Sequence, residues 1–413
     1  MKKVLVWGLG VSGRSAIELL KSKGIEVYWG DDKDKVDFRE FLGIVDTVVL
    51  SPGIPPSHPL WMEAQKKDIE VIGELELAWR FFEGKAIAIT GTDGKSTTTR
   101  LTYLMLSSHF DNVEEGGNIG IPFSDIVLKN PKGLAVLEVS SFQGKTLNTF
   151  RPVGGAFLNF SPDHLDWHPT LEDYLHSKYN IFARQTEEDF IVLNEFQREV
   201  AETPARAQRI FIGQRDAFIK GGKAYLFGEP LFELEKLKLF GLHNAYNLLF
   251  ASAIVRRMGV PTENIREIAY TFRGLPHRLE YVGEIRGVKV YNDSKATTPH
   301  ALQSALESMP DGKVILIAGG KDKGFNFEEL LPLVKKKTKA CLLIGEAKEK
   351  MAKAWNEAHL CNGLEDAVEK AFELAKEGDI ILFSPACASF DMFKDYKERG
   401  EIFKRLVLSY VEK

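Results

Sequence analysis

Residues Gly91-Thr92-Asp93-Gly94-Lys95-Ser96-Thr97 separate an apolar segment, 86–90, from a segment at 96–107 with helical spacing. The loop has two residues between its glycines, two fewer than the general phosphate-binding loop. Its backbone N–H groups would still face an anion at a helix N-terminus, the lysine would reach the outer phosphates, and the serine hydroxyl could bind Mg²⁺. A glycine-rich turn with a solvated lysine is the alternative, but the strand–loop–helix context favours a nucleotide phosphate site.

A second glycine-rich loop, Gly8-Leu9-Gly10-Val11-Ser12-Gly13, follows the apolar segment 2–7. Asp31 lies eighteen residues beyond Gly13, which matches the dinucleotide-binding pattern. This motif is weak when it stands alone. It indicates that a nucleotide diphosphate could lie on the helix N-terminus, and a tight turn without a ligand is the alternative.

Further apolar segments alternate with helical patterns along the 413 residues. Such βαβ units predict parallel sheets with helices on their faces. We therefore expect an α/β fold with three domains: a Rossmann-like N-terminal domain at 1–73, a central P-loop ATPase-like α/β domain at 74–274 and a Rossmann-like C-terminal domain at 275–413.

Charge and cysteine content exclude several classes of protein. With 54 Lys and Arg against 58 Asp and Glu, the net charge is −4, without the basic excess that nucleic-acid binding requires. Three cysteines, Cys341, Cys361 and Cys387, match no metal-binding spacing and are typical of a reducing compartment. No apolar run approaches the ~18 residues of a membrane span. We expect a cytoplasmic protein without membrane insertion or a nucleic-acid partner.

Polar residues at strand ends are candidates for the chemistry. Glu138 ends an apolar strand, where ligands bind in α/β sheets, and is a natural Mg²⁺ ligand beside a phosphate loop. His164, in a segment dense in possible ligands, could bind a metal or transfer a proton, although a lone histidine is more often structural. Ser389 is predicted to cap a helix whose N-terminus would bind an anion. Cys387 lies near the same helix but lacks an activating partner in sequence, so we expect it to be structural.

Together these motifs resemble the Mur ligase family along nearly the whole chain. The most specific matches are Gly91–Thr97, Gly117-Asn118-Ile119-Gly120, Glu138-Val-Ser-Ser-Phe-Gln143, Asp163-His164-x-Asp166, His243-Asn244-x-x-Asn247, Pro276-His277-Arg278, Asn292-Asp293-Ser294-Lys295-Ala296-Thr297 and Ser384-Pro-Ala-Cys-Ala-Ser389. The Ser-Ser-Phe-Gln and Ser-Pro-Ala-Cys-Ala-Ser stretches favour the glutamate-adding branch. The Asp-Asn-Pro-Arg motif of the branches that add diaminopimelate or lysine is absent.

The resemblance implies an ATP-dependent amide ligase of peptidoglycan precursor synthesis. ATP would phosphorylate the alanyl carboxylate of UDP-N-acetylmuramoyl-L-alanine, and the amino group of D-glutamate would attack the acyl phosphate. The implied cofactors are ATP and Mg²⁺, with two binding sites for Mg²⁺. Lys178, which otherwise looks like an ordinary helix lysine, matches the family's carbamylated lysine. A monomer is expected.

The resemblance also implies roles for individual positions. The catalytic residues would be Lys95, Glu138, His164 and Lys178, and the metal ligands Ser96, Glu138, His164 and carbamylated Lys178. ATP would contact Gly91, Thr92, Asp93, Gly94, Lys95, Ser96, Thr97, His243, Asn247, Arg278, Asp293 and Lys295. The UDP-sugar would contact Gly10, Ser12, Asp31, Asp32, Ser51, Gly53, Asn118, Ser140 and Gln143, and D-glutamate Thr297, Lys323, Ser389, Phe390 and Tyr396.

Three departures from the family pattern stand out. Asp93 replaces a common Asn, Trp167 stands where some relatives have Arg, and the loop at Lys321-Asp322-Lys323 is unusually basic. They leave room for a sibling ligase that adds another amino acid. Two further alternatives are an NAD-dependent oxidoreductase built on the first glycine loop and a nucleotide-dependent switch.

Overall fold

The computed structural model describes residues 1–411, in which helices alternate with the strands of three sheets. By compactness the chain forms two units. The first comprises Met1–Glu235 and Tyr246–Ala269, and the second comprises Lys236–Ala245 and the chain from Tyr270 onward. The predicted α/β fold is confirmed. The predicted boundaries at 73 and 274 fall between sheets and stay predictions.

The first sheet is entirely parallel, in the order β2-β1-β3-β4. Its strands are β1 Lys3–Trp7, β2 Glu26–Gly30, β3 Thr47–Leu50 and β4 Glu70–Gly73, and its helices are α1 Val11–Ser22, α2 Pro59–Lys66 and α3 Glu74–Phe81. Val4, Leu5 and Val6 are all fully buried, because helices cover both faces of a parallel sheet. The chain order reverses between β1 and β3, which places the first glycine loop beside Ser51 at the carboxyl edge.

The second sheet has nine strands in the order β13-β12-β11-β10-β9-β8-β5-β7-β6. Its strands are β5 Lys85–Thr90, β6 Val113–Gly117, β7 Leu134–Glu138, β8 Gly154–Phe157, β9 Phe190–Asn194, β10 Gln208–Ile212, β11 Ala217–Lys220, β12 Lys223–Leu226 and β13 Glu229–Glu233. Its helices are α4 Lys95–Ser107, α5 Phe123–Lys129, α6 Ser141–Lys145, α7 Leu171–Tyr179, α8 Arg198–Ala201, α9 Leu242–Arg257 and α10 Thr262–Thr271. β5 lies between β7 and β8, so the phosphate loop opens at a topological switch point.

Two hydrogen bonds join the helices of the first two sheets. Ser15 Oγ in α1 donates to Asp125 Oδ1 in α5 at 2.6 Å, and Ser124 N donates to Glu74 Oε1 at 2.6 Å. Apolar residues from both sheets form one cluster around these contacts, including Leu20, Leu75 and Phe123. The first two sheets are therefore packed as one unit.

The third sheet has the order β14-β15-β19-β16-β17-β18, and only its β14–β15 pair is antiparallel. Its strands are β14 Glu280–Ile285, β15 Val288–Asn292, β16 Val314–Gly319, β17 Thr338–Ile344, β18 His359–Leu360 and β19 Ile380–Phe383. Its helices are α11 Pro299–Glu307, α12 Leu331–Lys337, α13 Lys348–Trp355, α14 Leu364–Leu374 and α15 Tyr396–Leu408. Short 3₁₀ turns occur at Phe38–Glu40, Leu234–Lys236 and Glu328–Leu330.

The predicted helix cap at Ser389 is wrong. The last helix begins at Tyr396, and Asp395 caps it by accepting a hydrogen bond from Glu398 N. Ser389 lies in a preceding turn, where its carbonyl accepts from Met392 N and Phe393 N. Lys321 N bonds the carbonyl of Ala388, which holds this stretch extended beside the sheet and delays the helix.

Candidate active site

The phosphate loop has the backbone that its glycines predict. Gly91 and Gly94 both have positive φ, and Gly94 is the left-handed residue that precedes α4. A Cβ at Gly94 would lie 2.5 Å from Asn247 Oδ1, so any larger residue would displace the amide. This close approach also brings Asn247, a predicted ATP contact, beside the loop.

Asn159, which follows β8, holds the loop in shape. Its Oδ1 accepts from Thr92 N at 3.0 Å and from Asp93 N at 2.8 Å, and its Nδ2 donates to the carbonyl of Asp93 at 2.9 Å. No local motif in the sequence predicts this role for Asn159. Its position after a strand adjacent to the loop was the available signal.

Lys95 is the first residue of α4, and its ammonium folds back over the loop. Nζ donates to the carbonyls of Gly91 at 2.8 Å and Thr92 at 2.9 Å. These two hydrogen bonds hold the ammonium group of Lys95 against the loop. The helix N-terminus contributes further positive potential there.

Ser96 and Glu138 form the predicted metal-binding pair. Ser96 Oγ donates to Glu138 Oε2 at 2.9 Å, and Glu138 is only 3% exposed. A hydroxyl and a buried carboxylate are oxygen ligands of the kind that Mg²⁺ prefers, so the donor chemistry fits. Within residues 1–411, however, no group of three or more His, Cys, Asp or Glu side chains is arranged to hold a metal ion.

Lys178 is a buried amine next to the same loop. It is 1% exposed, and Nζ donates to the carbonyl of Gly91 at 2.8 Å and to Thr90 Oγ1 at 3.3 Å. Burial, reinforced by the nearby ammonium of Lys95, lowers the pKa of Lys178 well below its ordinary value. A lysine that looks ordinary in the sequence therefore has an unusual environment.

His164 lies at the exposed edge of the site. Its backbone is left-handed, with φ 53°, and Nε2 is 3.4 Å from Asp163 Oδ2. Its ring packs edge-on against Phe142, with centroids 5.0 Å apart. The histidine is accessible, as a metal ligand or proton-transfer group must be.

A buried hydrogen-bonded chain lies behind this edge. His168 Nε2 contacts Ser141 Oγ at 2.8 Å, and Nδ1 contacts Asp173 Oδ2 at 2.6 Å. Lys145 forms an ion pair with Asp173. The chain fixes α6 against α7, the helix of Lys178. These hydrogen bonds leave no local sequence pattern, because the residues that form them are separated by up to 32 positions.

Two of the predicted UDP-sugar carboxylates follow β2 and bond the first glycine loop and the end of β1. Asp31 Oδ2 accepts from Leu9 N at 2.8 Å, and Asp32 Oδ1 accepts from Trp7 Nε1 at 2.8 Å. The backbone N–H of Leu9 is the main cause that lowers the pKa of Asp31. Gly10 precedes α1, and Ser12 lies in its first turn, so the predicted residues share one edge.

A cavity brings together predicted UDP-sugar residues from the two sheets of the first unit. Ser51 and Pro52 line one side, and Gln143 and Trp167 line the other. The buried Nε1 atoms of Trp61 and Trp167, both in the lining, lack hydrogen-bond partners among the described residues. Such orphaned donors fit a ligand with acceptor oxygens.

The remaining residues predicted to bind the UDP-sugar differ in their exposure and their hydrogen bonds. Ser140 and Gln143 satisfy each other in a capping box at α6, with Gln143 N donating to Ser140 Oγ at 3.2 Å. Asn118 is exposed, and its backbone N–H bonds the carbonyl of Glu138. Gly53 lies in the turn after β3.

Asp293 follows β15 in the second unit and is buried. Its Oδ2 accepts from Ser384 Oγ at 2.8 Å, and its Oδ1 accepts from Leu279 N at 3.0 Å. Burial raises the pKa of Asp293 to about 7. Arg278, whose backbone N–H bonds the carbonyl of Leu275, is partly exposed.

The residues predicted to bind D-glutamate gather around the loops of the third sheet. Lys323 Nζ lies 5.7 Å from the ring centre of Phe390, which is 65% exposed, whereas Ser389 is 2% exposed. Lys295 Nζ lies 5.7 Å from the ring of Tyr396. Thr297 follows in the same loop as Lys295, just before α11.

His243 lies in the first turn of α9. A Cβ at Gly241 would lie 2.6 Å from its ring, so the glycine makes room for the imidazole. Asn244 lies inside the same helix and donates from Nδ2 to the carbonyl of Phe240 at 2.9 Å.

Comparison with known proteins identifies the family. The Mur ligase middle domain matches residues 89–255, and the Mur ligase glutamate ligase domain matches residues 277–387. The UDP-N-acetylmuramoylalanine–D-glutamate ligase of Aquifex aeolicus is 60% identical over 409 residues, covering 98% of each chain. The ligase of the same name from Hydrogenobaculum sp. is 52% identical, again over 98% of each chain.

Solved structures show the same fold. The UDP-N-acetylmuramate–alanine ligase of Thermotoga maritima has a TM-score of 0.60 and 18% identity, with 99% of each chain covered. A UDP-N-acetylmuramoyl-L-alanyl-D-glutamate–2,6-diaminopimelate ligase has a TM-score of 0.62 and 16% identity, covering 90% of this chain and 93% of its own. No helix within residues 1–411 is long and apolar enough to cross a membrane. By its domain matches and its near-full-length identity to curated relatives, the chain belongs to the Mur ligase family.

Proposed function

We propose that the protein is an ATP-dependent ligase that joins D-glutamate to UDP-N-acetylmuramoyl-L-alanine in peptidoglycan precursor synthesis. The observation that carries this proposal is the 60% identity, over 98% of both chains, to a ligase named for that reaction. The phosphate loop with Lys95 and the Ser96–Glu138 pair supports the nucleotide part. Family membership favours this reaction over the oxidoreductase and switch hypotheses.

The reaction has two transfers. The alanyl carboxylate attacks the γ-phosphorus of ATP, and ADP leaves. The amino group of D-glutamate then attacks the acyl carbon, orthophosphate leaves, and the new amide nitrogen loses a proton. Charge develops on phosphoryl oxygens in the first transfer, so positioning and electrostatic stabilisation are the main contributions that the protein can make.

Residues of the phosphate loop would bind and orient ATP. The N–H groups at the start of α4 and the ammonium of Lys95 would face the phosphates, while Thr92, Asp93 and Thr97 contact them from the loop. Ser96 and Glu138 would hold one Mg²⁺, and His164 a second. Mg²⁺, when bound, offsets phosphate charge.

The lowered pKa of Lys178 supports a carbamate at this position. Carbamylation requires a neutral amine, because the lone pair attacks carbon dioxide, and burial favours the neutral form. The carbamate would turn a cation into an anion beside the second Mg²⁺.

The remaining roles are proposed by motif. His243, Asn247, Arg278, Asp293 and Lys295 would contact ATP. The UDP-sugar would contact Gly10, Ser12, Asp31, Asp32, Ser51, Gly53, Asn118, Ser140 and Gln143, and D-glutamate would contact Thr297, Lys323, Ser389, Phe390 and Tyr396. We also propose that the protein is a monomer. We propose a cytoplasmic location, because ATP and the UDP-sugar are intracellular metabolites.

The test is release of phosphate from ATP with the UDP-sugar and a panel of amino acids: D-glutamate, L-glutamate, L-lysine, diaminopimelate and glycine. We expect release only with D-glutamate, the UDP-sugar and Mg²⁺ together. Equal turnover with another amino acid would indicate a sibling ligase. Turnover independent of both substrates would contradict ligase activity.

A further inference from the structure

Arg399 in α15 is the most deeply buried cation of the second unit, at 0% exposure. Its guanidinium donates from Nε to Ser294 Oγ at 3.0 Å, from Nη2 to the carbonyl of Ser294 at 2.7 Å and from Nη1 to the carbonyl of Cys387 at 2.9 Å. None of these acceptors is a carboxylate. Burial lowers the pKa of Arg399 to about 10.

This arrangement is costly for folding alone. A buried charge that is bonded only to neutral oxygens loses its hydration without forming an ion pair, and Arg399 also lies near the positive end of α15, where a cation is disfavoured. An apolar side chain of similar volume would fill the same space at lower cost. The arginine therefore calls for an explanation beyond stability.

The guanidinium lies where three loops meet. Ser294 follows β15, Cys387 follows β19, and a Cβ built on Gly320, which follows β16, would lie 3.3 Å from Nη1. These strands are neighbours, and ligands of α/β sheets bind at the carboxyl ends of adjacent strands.

The two bonded loops carry several of the proposed ligand residues of this unit. Ser294 stands between Asp293 and Lys295, and Cys387 lies two residues before Ser389. The first loop is also held by other hydrogen bonds. Lys295 N donates to the carbonyl of His277, and Leu279 N donates to Asp293 Oδ1. The loop at 384–389 includes Ala386 in a left-handed conformation, with φ 59°. Ser384 Oγ bonds Asp293 at one end of this loop, and the guanidinium ties its middle, through the carbonyl of Cys387, to Ser294.

We propose that Arg399 is a positioning residue for amino-acid binding: it clamps the loop at 384–389 onto Ser294, so that Ser389 is presented correctly to the incoming amino acid. This inference rests on the proposed function. Arg399 touches no substrate in this scheme and acts only through the two loops.

The test compares Arg399→Lys with Phe403→Leu in steady-state kinetics and thermal unfolding. Lysine keeps the charge but cannot bond both loops in the same geometry. Phe403 lies one turn further along α15, is fully buried and stacks on Phe383, so its truncation weakens the same helix without touching either loop. Ser294→Ala, which removes the hydroxyl that accepts from Arg399 and donates to the carbonyl of Tyr396, is the third variant.

We expect Arg399→Lys to raise the KM for D-glutamate about tenfold, with the KM for the UDP-sugar changed less than twofold. Ser294→Ala should give a smaller rise of the same kind, and the double variant should show non-additive effects, since both act through one contact. Phe403→Leu should lower Tm by a similar amount with the KM for D-glutamate unchanged.

Equal KM values for D-glutamate in wild type and in both loop variants would overturn the proposal, as would the same KM increase in Phe403→Leu. If Arg399→Lys fails to fold, Ser294→Ala alone decides. Wild-type protein without D-glutamate-dependent turnover would instead refute the proposed function, so the two failures are distinguishable.

Discussion

At the residue scale, Lys178 and Lys95 lie beside the same loop in different environments. Both ammonium groups donate to the carbonyl of Gly91, at 2.8 Å each. Burial lowers the pKa of Lys178 well below its ordinary value, and repulsion by the ammonium of Lys95 lowers it further. The lowered pKa favours the neutral amine of Lys178, which is the form that the proposed carbamylation requires.

Replacement of Lys178 tests the carbamate. Lys178→Ala should lose most activity, and millimolar formate or acetate should restore part of it by supplying a carboxylate in the vacated space. The measurement is D-glutamate-dependent phosphate release with and without added acid, and Lys95→Ala, which should not respond to acid, is the control. Full activity of Lys178→Ala without acid would contradict a carbamate.

Replacement of Lys95 tests the electrostatic role of the loop. Lys95→Ala should lower kcat by roughly 10³-fold, because the transferring phosphoryl group loses a fixed positive charge. Lys85→Ala, which removes an exposed lysine from the opposite end of β5, should retain wild-type kcat. A Lys95→Ala enzyme with near-normal kcat would show that this loop does not bind the reacting phosphates.

Single positions differ in how much the sequence could predict. Lys95, Ser96 and Glu138 were predictable, because the loop, the helix start and the strand end are local patterns, and the Ser96–Glu138 contact follows from adjacent strands. Asn159, His168 and Arg399 were not, because their roles arise from contacts between distant segments. Ser389 was predicted as a helix cap from residue type alone, and the contact of Ala388 with Lys321 overrides it.

At the element scale, helix α3 begins with a buried carboxyl group, Glu74, whose pKa is shifted. Glu74 is 3% exposed and accepts from Ser124 N, and burial raises its pKa from 4.5 to about 7. Between these pH values the folded protein holds a proton that the unfolded chain releases. Glu74 therefore favours folding at low pH, and this contribution is lost as the pH rises through 7.

Glu74→Gln removes that dependence, since glutamine can still accept from Ser124 N. Relative to wild type, the variant should gain up to about 3 kcal/mol of stability between pH 4.5 and pH 8, the equivalent of the shift. Chemical unfolding at both pH values measures it, with exposed Glu83→Gln as control. A stability difference that is the same at both pH values would show that folding does not raise the pKa of Glu74.

At the scale of the whole molecule, the α/β class and three sheets follow from the alternation of apolar strands and helical segments. The assignment of those sheets to compact units does not, because it depends on contacts such as Ser15 with Asp125 across 110 positions. The first two sheets form one unit, and the third sheet belongs to the other. The sequence pattern does not predict such packing, because the same polar residue types occur on exposed surfaces and at contacts between sheets.

The division into units makes a prediction about unfolding that two intrinsic probes can follow separately. Five of the six tryptophans, Trp7, Trp29, Trp61, Trp79 and Trp167, lie in the first unit. All three cysteines lie in the second unit, where they are free and at most 3% exposed, and burial raises the pKa of each thiol. Tryptophan fluorescence therefore reports mainly on one unit, and thiol labelling reports on the other.

Each unit has apolar clusters of its own, so we expect the two signals to change at different denaturant concentrations. In buffer the thiols should resist labelling, because a buried thiol of high pKa supplies almost no thiolate, and full denaturation should expose all three. Trp355→Phe, which removes the tryptophan of the second unit, should leave the fluorescence midpoint unchanged. Coincident midpoints for fluorescence and labelling would instead show that the units unfold as a single cooperative structure.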